Sequence, residues 1–132
     1  MTMTSPEAGS GARPAPELVE AVDAEAISAA ASLFRSLGDP SRLSILTHLM
    51  LGEHRVVELT EHLGLAQSTV SAHLKCLLDC GMVRVRAQGR ASFYSLAAEP
   101  ALVALLSAAE GLLADTGRAV VLCPTYGTRT RP

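Results

Sequence analysis

Apolar residues recur at helical spacing from Asp23 onward, and each recurrence stops where a glycine follows it. Ile27, Ala30, Leu33, Phe34 and Leu37 form one stripe, closed by Gly38. Asp39-Pro40 opens a second helix, because aspartate accepts from the free amides of a helix start and proline tolerates the first helical position. Leu43, Ile45, Leu46 and Leu49 carry that helix toward Gly52. A third helix is expected over Val56 to Leu63, stopped by Gly64, and a fourth from about Gln67 to Cys80, ended by Gly81. Two short helices around the turn Gly64-Leu65-Ala66 predict a helix-turn-helix. The period then changes to alternation. Met82 to Arg86 and Ala91 to Leu96 alternate, with Gln88-Gly89-Arg90 between them, which predicts a β-hairpin serving as a wing. Glu99-Pro100 starts a last helix through Leu102, Leu105, Leu106, Ala109, Leu112 and Leu113, ending at Gly117. The expected fold is mainly α with a small β-hairpin, a dimeric winged helix-turn-helix.

Residues 1–20 carry no apolar period and are rich in small residues and proline, so a disordered N-terminal arm is expected there. One domain for DNA binding and dimerisation is expected over 21–117, and a tail carrying Cys123 over 118–132. Of 132 residues 48% are hydrophobic, yet there is no Trp, with two Phe and two Tyr, so the core must be aliphatic and modest. Small helices in a single layer bury little, and the broad leucine face of the last helix suits a second chain. A homodimer through the first and last helices is therefore expected. No apolar run approaches a membrane span and no charged start precedes an apolar stretch, so no membrane association and a cytoplasmic location are expected.

The net charge of −2 hides an uneven distribution. Acidic residues dominate 1–53, whereas from Gln67 to Arg90 the cations Lys75, Arg84, Arg86 and Arg90 face Asp79 alone. A local basic patch is what phosphate contacts require. On the fourth helix Gln67, Ser68, Thr69, Ser71, Ala72 and Lys75 form the polar side, whose small hydroxyls and methyl can approach base edges while Lys75 reaches a phosphate or guanine. In the wing Arg84, Arg86, Gln88 and Arg90 can track phosphate or the adjacent minor groove, with Arg90 foremost because it sits at the tip.

Cysteine often serves only as a small core hydrophobe. On a helical wheel, however, Val70, Leu74, Leu77, Leu78 and Gly81 mark the core stripe, and Cys76 and Cys80 fall about 100–140° from its centre. At i and i+4 their Cβ atoms lie about 5–6 Å apart, close enough for two sulfurs to converge on one ion. Two ligands bind loosely, and Cys123 is the only other thiol. A thiolate-only set selects soft or borderline ions, Cd(II) and Pb(II), with Zn(II) competing through availability. Three cysteines in a reducing compartment fit metal or redox chemistry better than structural disulfides. His73, one turn before Cys76, is read as packing near the helix-turn-helix rather than as a ligand, and His48, His54 and His62 show no ligand spacing and read as surface residues. No acid–base pair or activated nucleophile is apparent, so an enzyme is not expected.

The run Leu37-Gly38-Asp39-Pro40-Ser41-Arg42-Leu43-Ser44-Ile45-Leu46 resembles the opening motif of the ArsR/SmtB repressors, as does Gln67-Ser68-Thr69-Val70-Ser71-Ala72-His73-Leu74-Lys75 followed by Gly81-Met82-Val83. The similarity spans about residues 25–115. It implies a dimeric winged-helix repressor that releases double-stranded operator DNA on binding an inducer, usually a metal ion. Within that family Cys76-Leu77-Leu78-Asp79-Cys80-Gly81 looks like the recognition-helix site of the CmtR-type cadmium/lead sensors, which add one cysteine from the C-terminal region; Cys123 is the counterpart by position. Two other family sites are poorly matched, since Val56-Val57-Glu58-Leu59-Thr60 lacks cysteine and the last helix has only Glu110 and Asp115 and no histidine. Ala66 stands where a capping hydroxyl is expected, leaving Ser68 or another group to cap. The implied function is a metal-sensing repressor using Cys76, Cys80 and Cys123; the alternative is a thiol redox-sensing repressor on the same scaffold.

Overall fold

A computed structural model describes residues 23–124. The arm expected over 1–20 and the end of the tail beyond Pro124 lie outside the described residues. The elements run α1 (Ala24–Leu37), α2 (Pro40–Leu49), β1 (His54–Arg55), α3 (Val56–Leu63), α4 (Gln67–Asp79), β2 (Val83–Gln88), β3 (Ala91–Leu96) and α5 (Glu99–Asp115). The described chain falls into two compact units, one ending at Phe34 within α1 and the other starting at Arg35.

Local chemistry sets the boundaries. Asp39 Oδ2 accepts from the Arg42 amide at 3.0 Å and Pro40 occupies the first turn of α2. The Arg55 amide donates to Glu58 Oε1 at 2.8 Å, so a carboxylate three residues on satisfies an amide that the start of α3 leaves open. The close of α4 matters most. Gly81 donates to Leu78 O at 3.0 Å and Met82 to Leu77 O at 2.8 Å, with Gly81 at φ 79°. This left-handed closure caps the last carbonyls and turns the chain into β2. Only glycine adopts it without strain.

The wing is larger than the sequence suggests. β2 and β3 pair antiparallel from Val83↔Leu96 to Gln88↔Ala91, leaving Gly89-Arg90 as a two-residue turn. The sheet order is β1-β3-β2, with His54 opposite Tyr94 and Arg55 opposite Phe93. Two residues are too few to show alternation, which is why β1 leaves no mark in the hydropathy pattern.

Ile45, Leu46, Leu59, Val70, Leu74 and Leu77 are fully buried, joined by Leu49, Val83, Leu96, Leu102 and Leu106. The core is aliphatic, as the composition requires. One expectation, the core placement of Leu78 and Gly81, needs correction, and two apolar faces stay open in the single chain. Leu78 is half-buried and Gly81 exposed, because the closing turn lifts the end of α4 off the core. Ile27 and Phe34 of the α1 stripe are 57% and 58% exposed. On α5 only Leu102 and Leu106 are buried, and Leu112 is 68% exposed, because the leucine face is broader than one chain covers. Among the described residues no helix is long and apolar enough to cross a membrane.

Leu74 has no exposure and lies on the inner face of α4. Leu74→Ala is expected to cost about 2–5 kcal/mol, because the removed atoms leave a cavity that the surroundings only partly fill. It should appear as a lower urea midpoint with an unchanged slope.

Candidate nucleic-acid interface and thiolate site

Burial of Val70, Leu74 and Leu77 turns the other side of α4 outward. Gln67, Ser68, Thr69, Ser71, Ala72 and Lys75 are all exposed there, so the structure brings the sequence-predicted reading residues onto one open surface. Lys75 Nζ lies 3.4 Å from Asp79 Oδ2, with side chains 77% and 67% exposed. So open a pair holds its lysine weakly. No side chain caps the start of α4, neither Ser68 nor any other. Its first amides therefore keep the donors and the dipole that favour a phosphate.

The alternating arginines of the wing resolve into different tasks. Arg84 Nη2 donates to Ala97 O at 2.8 Å. Arg86 grips Glu53 through Nε and Nη2 at 2.8 and 2.9 Å, donates to Gln88 Oε1 at 2.7 Å, and lies 4.8 Å from the Phe93 ring centroid. The hydrogen bonds from Arg86 hold the Glu53 carboxyl below its usual range, and Glu53 raises Arg86 in turn. Arg90, in the turn, forms no ion pair among the described residues.

The two thiols of α4 are free, Cys76 half-buried and Cys80 exposed. Cys80 is the residue at which the helix ends, its amide donating to Cys76 O at 3.1 Å. Its Sγ lies 2.9 Å from the hydroxyl of Ser36, the one buried polar side chain among the described residues. Arg42 anchors the same segment. Its Nε donates to Ser36 O at 2.6 Å and its Nη2 to Arg35 O at 3.1 Å, while Nη1 stands 3.4 Å from His73 Nδ1. His73 Nε2 is 3.7 Å from Asp39 Oδ2. The ring thus stands between Arg42 and Asp39, with a partner beside each nitrogen. The Arg42 amide chiefly holds the Asp39 carboxyl below its ordinary value.

Cys123 stands apart, half-buried, with its sulfur 3.9 Å from Ser107 Oγ and 3.9 Å from Val103 O. Among the described residues no three His, Cys, Asp or Glu side chains form a group that could hold a metal ion. The α4 pair suits a soft cation by donor type, since two free thiols occupy i and i+4 on a rigid helix. The third thiol has to come to them from the tail.

Sequence spacing gave no hint that His48, His54 and His62 share one patch. Their ring centroids are 5.2–6.1 Å apart, because the end of α2, the start of β1 and the end of α3 meet there. His54 Nδ1 lies 2.7 Å from Gly52 O and His48 Nδ1 3.3 Å from Ser44 O. Burial, then the other two rings, keep His48 below the ordinary imidazole value, against the opposing bond to Ser44 O.

The fold and the open α4 surface define a winged helix-turn-helix DNA-binding protein. The family model described as "Bacterial regulatory protein, arsR family" matches residues 39–85. The chain is 41% identical over 93 residues to a probable mercury resistance operon repressor of Streptomyces lividans, covering 70% of this chain and 74% of that one. It is 47% identical over 70 residues to the HTH-type transcriptional regulator CmtR of Mycobacterium tuberculosis, covering 53% and 59%. Among solved structures, a homodimeric winged helix-turn-helix DNA-binding domain from Mycobacterium bovis, described as a possible ArsR-family regulator, superposes with TM-score 0.57 at 28% identity over 81% of this chain and 91% of that one. The chain belongs to the arsR family of bacterial regulatory proteins, which are transcriptional regulators and not enzymes.

The depressed His48 has a sign that can be checked. A group protonated less readily when folded contributes stability above its unfolded value, and that contribution fades as pH falls through the folded value. The urea midpoint is expected to fall between about pH 7.5 and about pH 5.5, either side of the ordinary histidine value, and His48→Gln should shrink the fall.

Proposed function

We propose that this chain is a metal-responsive repressor. As a homodimer it binds double-stranded operator DNA without metal, and it releases the DNA when Cys76, Cys80 and Cys123 take up a soft cation. Cd(II) and Pb(II) suit three thiolates, Zn(II) competes through availability, and Hg(II), suggested by the Streptomyces relative, belongs to the same thiolate-seeking class. One observation carries the reading. One free thiol, Cys76, lies on the thirteen-residue helix that exposes Ser68, Thr69, Ser71 and Lys75, and a second, Cys80, is its C-cap.

Dimerisation is supported by the exposed Ile27, Phe34 and Leu112, which a single chain leaves in water, and by the homodimeric relative. Cys123 lies away from the α4 pair within one chain. Closing the three-sulfur set therefore requires the tail to move or the tail of the second subunit to arrive. A bound soft cation would supply positive charge and a crosslink among thiolates. The chain's own residues do the rest. The Ser36 hydroxyl, 2.9 Å from Cys80 Sγ, fixes where that sulfur sits. Arg42 transmits any shift of Ser36 to the start of α2 and to His73.

Two sites that share a helix couple through differential affinity, and 1–3 kcal/mol corresponds to about a 5- to 150-fold change in DNA binding. Anisotropy of labelled operator DNA should show a loss of that size on adding Cd(II). Cys76→Ser and Cys80→Ser should bind DNA normally but lose the response. An undiminished response in both variants would remove the proposal. The exposed Cys80 also supports a thiol-redox version, in which peroxide alone releases DNA and thiol reductant restores binding.

The wing supplies a separate check. Arg90→Ala should weaken binding evenly across DNA sequences and lower the salt slope by about 1, because one phosphate contact is lost.

A further inference from the structure

Glu110 sits on the outer half of α5, where a carboxylate ordinarily faces only water. Here its Oε2 accepts from two consecutive amides, Leu122 at 2.5 Å and Cys123 at 3.1 Å. We infer that Glu110 is a positioning residue for Cys123: it fastens the tail to α5 and holds the third thiol at one station. The inference rests on the three-thiolate reading above.

The tail is built to reach that station. Gly117, at φ 86°, donates to Ala114 O at 3.0 Å, and Arg118 donates to Leu113 O at 2.8 Å. This closure repeats the one at the end of α4 and sends the chain back along the helix it has just left. From Asp115 back to Ser107 is about 12 Å of helix, a distance that Arg118–Cys123 spans when extended. Cys123 accordingly ends beside Ser107 and Val103. On its other side the tail lines a cleft of Val121, Leu122 and Pro124 with Thr47, His48 and Leu51 at the end of α2.

The sulfur contacts are 3.9 Å long, and Val120 and Val121 are 43% and 67% exposed. Hydrogen bonds to a carboxylate are among the stronger ones, and two from adjacent residues fix direction as well as place. Within one chain this station lies away from the α4 pair, so the fixed thiol serves the pair of the second subunit, to which it presents a higher effective concentration than one on a loose tail. Groups that hold a metal ligand's side chain in place commonly change metal affinity by about 10- to 100-fold, and Glu110 does the same work through the backbone.

The test uses the full-length protein and Cd(II), followed by ultraviolet sulfur-to-cadmium absorption in competition with a chelator. Glu110→Ala should weaken Cd(II) binding about 10- to 100-fold, and Glu110→Gln, which keeps one acceptor oxygen, should weaken it less. In a Cys123→Ser background Glu110→Ala should have no further effect. In the metal-free protein the Leu122 and Cys123 amides should be protected from hydrogen exchange in wild type and unprotected in Glu110→Ala. Weakening that persists without Cys123, or amide protection that survives Glu110→Ala, would overturn the inference. The two readings fail differently. Cys123→Ser with unchanged Cd(II) affinity sinks the three-thiolate set, whereas a loss in Cys123→Ser but none in Glu110→Ala sinks only the role of Glu110.

Discussion

The burial of Val70, Leu74 and Leu77 against Ile45, Leu46 and Leu59 fixes the rotation of α4, and the chemistry of the chain follows from that rotation. A helix has one circumference to share. With its apolar third inward, the hydroxyls at its start and the thiols at its end must lie outside the core. Turning α4 by even a fraction of a turn would put a hydroxyl into the aliphatic interior or a leucine into water. The reading surface and the sulfur pair are thus held at one relative angle by the same three leucine and valine contacts.

That helix is also tied down at its far end. The Gly81 closure leaves Cys80 as its C-cap, one residue past Asp79, and the Ser36 hydroxyl meets the sulfur there. Ser36 in turn is fixed through its carbonyl by Arg42, which reaches His73 in the middle of α4. One guanidinium thus joins the last turn of α1, the first turn of α2 and α4. Cys80 therefore has a short hydrogen-bonded path through Ser36 and Arg42 to His73 in the middle of α4.

How far the sequence revealed this depends on the range of each interaction. The helices, their stops and the hairpin were legible because they rest on periodicity, on Asp39-Pro40 and on glycine, all properties of neighbouring residues. The exposed polar side of α4 was legible for the same reason. Contacts between residues distant along the chain were not. Arg86 with Glu53, Ser36 with Cys80, Glu110 with the tail and the meeting of three histidines each join separate elements, and no spacing rule encodes them. The exposed α1 and α5 apolar faces form an intermediate case: the pattern showed that they had to be covered, and the single chain shows that it does not cover them.

The short β1 strand has a mechanical consequence. By pairing with β3 while running directly into α3, it welds the hairpin to the helix-turn-helix, and the Glu53–Arg86 clamp adds a second rivet beside it. The hairpin is then a stiff lever and not a swinging arm. Its tip travels with the helices, so the separation between the two places where this domain can press on a duplex is built into the sheet.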